Sequence, residues 1–158
     1  MKTAQYIVYV YQCKCYNLFT MGKDFEIIDH TADVGIIAYG VDVSQAFANA
    51  ARALFSLITE LDDVEEFLHR DIELVAPDEE SLLVEWLNEL IYLFDTENIV
   101  FKRFDVTKLN NTQFKARSYG EKVDSSKHRL KTGVKAATYH MLKVDKGDGC
   151  RVQVLFDI

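Results

Sequence analysis

The sequence predicts an α+β fold made of two nested strand-helix-strand-strand units, one inserted in the other, with two helices packed on mainly antiparallel sheet. Three observations predict it. Only two stretches carry apolar residues at helical spacing. Compact or alternating apolar runs of strand length surround both. The order is strand, helix, strand, helix and then four strands, so the last pair is left to complete what the first strand and helix begin. At 158 residues and 49% hydrophobic, the chain suffices for one domain that buries about 70% of its unfolded surface.

Each element has its own signals. Val34 to Tyr39 is a strand-length apolar run ended by Gly40. Asp42 with Gln45 three residues later resembles a capping box. Val43, Ala46, Phe47, Ala50, Leu54, Leu57 and Ile58 then recur on one helical face, with an expected end near Glu60. Phe67 to Val75 reads as a strand, with Val64, Phe67, Ile72 and Leu74 as its apolar residues. Pro77, the only proline, closes it. Asp78 is placed to cap a second helix, and Glu79 and Glu80 suit its positive end. That helix carries a wide apolar stripe through Leu82, Trp86, Leu90 and Phe94, which calls for cover on two sides and marks Trp86 as core.

Ile99 to Val106 and Thr112 to Tyr119 read as strands joined at Asn110-Asn111. Gly120 to Lys131 is polar and aperiodic and reads as the longest loop. Val134 to Val144 is extended. The turn formers Asp145 to Gly149 follow. The chain closes with Cys150, Val152, Val154 and Phe156 on one side of a strand and Arg151, Gln153, Leu155 and Asp157 on the other. The expected division is an extension over 1–20 and a domain over 21–158. Its outer unit spans 24–62 and 132–158, and its inserted unit spans 64–120.

The net charge of −7 predicts repulsion from phosphate backbones, so a basic partner would do any gripping of nucleic acid. No run of about 20 apolar residues is present to span a membrane. Three cysteines, Cys13, Cys15 and Cys150, cannot all pair within one chain, which favours a reducing, cytoplasmic setting. Cys13-Lys14-Cys15 is half a metal site or two unpaired thiols. Residues 1–20 contain no acid. They fit an extra edge strand, a disordered tail or a start codon misassigned upstream of Met21 better than an export signal, for want of a small-residue cleavage site.

Phosphate-loop, dinucleotide, hydrolase-elbow and HExxH patterns are absent. His69 and His128 have polar neighbours and are expected in solvent. His140 is expected as a strand residue with a hydrogen-bond partner. Asp33 is the odd residue, between Ala32 and Val34 at the start of the first core strand. Asp157 stands between Phe156 and Ile158, whose α-carboxylate adds a second anion. Were the first and last strands of the outer unit neighbours, three carboxylates would converge, and a hard divalent ion would balance them. The plainer reading leaves Asp33 capping a turn and Asp157 exposed in a tail.

HTADVGIIAYG resembles the N-terminal signature of the archease family. QAFANAARALFSLI resembles its first helix, SLLVEWLNELIYLFDTE its second, VKAATYH its late strand and LFDI its ending. These matches run in order from Phe25 to Ile158. The resemblance implies an accessory protein, not an enzyme, that acts with the GTP-dependent tRNA-splicing RNA ligase joining 3′-phosphate or 2′,3′-cyclic phosphate ends to 5′-hydroxyls. It implies promotion of ligase guanylylation and multiple turnover, with tRNA contacted only through the ligase. It also implies a divalent metal, calcium above magnesium or manganese, held by Asp33, Asp157 and Ile158, and no catalytic residues. Two other functions stand beside it: a chaperone or adaptor for RNA-processing or RNA-modifying enzymes with no obligatory metal, and a metal-assisted phosphoester hydrolase using Asp33, Asp157 and His30. The chain departs from the family pattern in its first twenty residues and at Gly133, where many relatives carry an acid just before the VKA strand. Glu26, Asp29 or a partner side chain would have to replace that acid.

Overall fold

The computed structural model describes residues 22–158; the expectations for residues 1–20, Met21 and Cys13-Lys14-Cys15 fall outside them. Among the described residues, seven strands and two α-helices follow in order. They are β1 (Phe25–Asp29), β2 (Val34–Gly40), α1 (Val43–Ile58), β3 (Leu68–Val75), α2 (Glu79–Glu97), β4 (Ile99–Leu109), β5 (Gln113–Lys122), β6 (Ala136–Gly147) and β7 (Gly149–Asp157), with a 3-10 turn at Leu61–Asp63. The two ends of the described segment form a four-stranded antiparallel sheet in the order β1-β2-β7-β6. The middle forms a three-stranded antiparallel sheet in the order β3-β5-β4. The α+β class is as expected. β1 is an addition: its short, half-exposed run lacks the continuous apolar character that announces β2.

Both helices lie between the sheets. α1 packs on β2 and β7 on one side and on β4 on the other, while α2 packs on β6 and on all three strands of the second sheet. This explains why ten of the sixteen α1 residues are buried. Trp86, fully buried, sits at the centre and donates Nε1–H to the Phe47 carbonyl at 3.2 Å. Its ring lies 4.7 Å from Phe114 and 5.8 Å from Phe104, within the range of favourable aromatic pairing.

The capping signals hold. The Asp42 carboxylate accepts from the Gln45 N–H at 2.8 Å, and the Gln45 side chain returns to the Val41 N–H at 2.7 Å. Asp78 accepts from the Ser81 N–H at 2.7 Å, which lowers its pKa. Asn98 ends α2 in the left-handed region at φ 53°, its N–H donating to the Phe94 carbonyl. Asn110 closes the β4–β5 turn by accepting from the N–H groups of Thr112 and Gln113.

Two loop expectations are corrected. Gly120 and Glu121 belong to β5. A Cβ at Gly120 would fall 1.9 Å from the Val100 carbonyl oxygen, so the close approach of β4 requires glycine there. His128 is buried, not solvated. Its Nδ1 accepts from the Asp124 N–H at 2.9 Å, which leaves Nε2–H to meet the Glu121 carboxylate at 3.0 Å. Local polarity misled because the partner, Glu121, comes from the neighbouring strand. Phe67, counted among the apolar strand residues, is exposed beneath Lys127, while Val64 is buried.

Candidate metal centre

The first sheet brings the two ends of the described chain together. β2 pairs β7 with Val34 opposite Phe156 as the last pair of the ladder, which leaves Asp33 and Asp157 each one residue beyond it at the same end. Asp157 in turn pairs with Ala136 of β6. Side chains directly opposite in an antiparallel pair have Cβ atoms about 4.5–5.5 Å apart, so continuing that register by one step would bring both carboxylates within reach of one ion. Val34 and Phe156 pack on the core, and alternation along β7 turns Asp157 to the opposite, outer face.

Asp33 is held by backbone. Its N–H donates to the His30 carbonyl and its carbonyl accepts from the His30 N–H, both at 3.2 Å, closing a two-residue turn over Thr31 and Ala32. The turn thus uses Asp33 main-chain atoms and leaves its carboxylate spare. Neither the Asp33 nor the Asp157 carboxylate has a hydrogen-bond or ion-pair partner among the described residues. Asp33 is half-buried; Asp157 and Ile158 are exposed.

Lys135, just before β6, was not singled out from the sequence. Its N–H donates to the Asp157 carbonyl at 2.8 Å and its Nζ donates to Ile158 O at 3.1 Å. One cation of the protein therefore already faces the chain end. Asn88 of α2 was also missed. Its Oδ1 accepts from the Ala137 N–H at 2.8 Å and its Nδ2 donates to the Ala137 carbonyl at 3.3 Å. The amide completes the free edge of β6 as a neighbouring strand would. No motif marks either residue, because both act through backbone atoms of distant segments.

Gly133 lies exposed in the loop before β6, with nothing within 4 Å of where a Cβ would stand. Space does not account for the missing acid. Glu26 is a poor substitute: it lies opposite Ile37, three residues along β2 from Val34, and is engaged by Lys23 and the Tyr39 hydroxyl. Asp29 ends β1 and is exposed. His140 lies in β6 but is exposed. Its ring meets His30 edge-on at a centroid distance of 6.2 Å, and it has no hydrogen-bond partner among the described residues.

The donor set suits a hard ion: carboxylate oxygens are ligands for calcium, magnesium or manganese and poor ones for soft metals. Among the described residues, no group of three or more histidine, cysteine and acidic side chains is clustered as a cage. A bound ion would therefore take two side-chain carboxylates, the Ile158 carboxylate and water.

The fold and this strand end define a class: an α+β protein with two sheets around paired helices and an open acidic end, none of whose described helices is long and apolar enough to cross a membrane. Residues 25–158 match the Archease protein family (MTH1598/TM1083). The chain is 40% identical over 144 residues to protein archease of Methanosarcina mazei, covering 88% of this chain and 99% of that one. It is 43% identical over 128 residues to that of Pyrococcus abyssi, covering 78% and 89%. The solution structure of Methanobacterium thermoautotrophicum Protein 1598 superposes with a TM-score of 0.75 at 36% identity, covering 85% and 99%. A crystal structure of an archease from Thermotoga maritima, described as a possible chaperone, shares the fold at a TM-score of 0.56 and 21% identity, covering 84% and 96%. The chain belongs to the archease family.

Proposed function

We propose that this protein is a metal-dependent accessory factor that activates the GTP-dependent RNA ligase of tRNA splicing, promoting its guanylylation and repeated turnover. The observation that carries the reading is the β2–β7 register, which leaves Asp33 and Asp157 at one end of the ladder next to Ile158, neither side-chain carboxylate having a partner among the described residues. These residues would hold a divalent ion, calcium in the first instance, with magnesium or manganese accepting the same donors. Bound there, the ion supplies positive charge and open coordination positions at the tip of an acidic protein.

Charge supports the partnership. A ligase that handles GTP and RNA ends needs an electropositive cleft, and a chain of net charge −7 complements it. The RNA would be met through the ligase rather than through this chain. The test is a purified ligation assay at limiting ligase. Asp33→Ala and Asp157→Ala should fold as the native chain does and lose stimulation of guanylylation. Full stimulation by Asp33→Ala contradicts the reading.

One observation favours a second reading, an adaptor with no obligatory metal. Lys135 Nζ on Ile158 O supplies a counter-charge from the protein itself. Chelation separates the two: an adaptor keeps its effect and a metal-dependent activator loses it.

A further inference from the structure

We propose that an overhang of β6, formed by Tyr139, His140 and Met141, is the contact surface that seats the protein partner of the acidic strand end; this rests on the reading above. The pairing of β6 with β7 breaks between Thr138 and Lys143, while β7 advances only from Leu155 to Gln153. The extra residues leave the ladder, and Met141 takes φ 54°, a strained conformation for a side chain other than glycine.

The overhang is held on two sides. Gln153, buried although it points away from the core, donates Nε2–H to the Met141 carbonyl at 3.0 Å. The His140 ring lies against His30, in the turn that carries Asp33. The excursion thus reaches across the outer face toward the turn that positions the carboxylate. Ile37 and Leu155, which also point away from the core, are 9% and 1% exposed on that face.

Held in this way, the overhang still exposes its apolar side chains: Tyr139 is 58% and Met141 47% exposed. Tyrosine and methionine are enriched where proteins meet, and a rigid apolar tip costs little entropy to bury. Charge selects the occupant. Through His140 the tip meets His30, in the turn that carries Asp33, on a chain of net charge −7, so the partner it fits is a protein with a basic, phosphate-handling cleft and an apolar rim.

The test compares the native chain with a Tyr139→Ser/Met141→Ser double variant in binding to the purified RNA ligase, with calcium titration and thermal midpoint measured alongside. Both positions are exposed, so folding and calcium affinity should stay at native values while ligase binding weakens about 30-fold. Gln153→Met, which releases the overhang while keeping its side chains, should weaken binding in the same direction. Native-strength binding by the double variant overturns the overhang proposal alone. Failure of the native chain to bind the ligase at all overturns the reading beneath it as well.

Discussion

Glu121 shows what a single residue carries in this fold. Burial raises its pKa, but the Lys127 ammonium, the Glu65 N–H and His128 together outweigh burial and hold it below the ordinary carboxylate value. Its Oε1 meets Lys127 Nζ at 2.6 Å, the Glu65 N–H at 2.7 Å and His128 Nε2 at 3.0 Å. With the folded pKa below the unfolded one, the contribution is complete above the unfolded value and is lost as pH falls through the folded one. The protection of the Glu65 amide, the exchange rate of the free peptide divided by its own at the same pH, should therefore be constant above the ordinary carboxylate range and fall as pH drops through the lowered folded value. Glu121→Ala strands a buried imidazole N–H and a backbone N–H and should cost about 2 kcal/mol in denaturant unfolding. None of this was legible locally, since Glu121 and His128 read as members of one polar loop. Asp33 was legible because it interrupts an apolar run. The terminal pair, Asp157 and Ile158, became meaningful only once strand order was known.

Elements with local signals were read well. α1 and α2 announce themselves by period and cap, so Asp42, Asp78 and Asn98 stand where capping chemistry requires. β1 and the overhang of β6 were not legible. β1 is short and exposed on alternate positions, and the break in β6 follows from contacts made by Gln153 and His30. Asn88 sets β6 from across the molecule, so Asn88→Ala should uncover the Ala137 amide. A loss of about 1.4 kcal/mol there is a tenfold rise in its exchange rate, with amides in the second sheet unchanged. Gly120→Ala should be severe, at about 3 kcal/mol or more, because the clash is with backbone of β4. Chemical denaturation checks it, and a near-native midpoint would show that β4 yields more easily than its pairing suggests.

At the scale of the whole molecule, one apolar core joins both sheets through the helix layer. Trp86→Ala removes the ring at its centre and should cost about 3–5 kcal/mol, with both sheets melting in one transition. β2 pairs β7 within that core, so residues more than a hundred positions apart lie at one strand end. We propose that this juxtaposition serves a cation. Calorimetric titration of calcium into metal-free protein tests it most directly, with Asp33→Asn and Asp157→Asn alongside. One site per chain is expected in the native protein and none in either variant, with both variants folded. Equal heats from all three proteins, or none from the native chain, would contradict it.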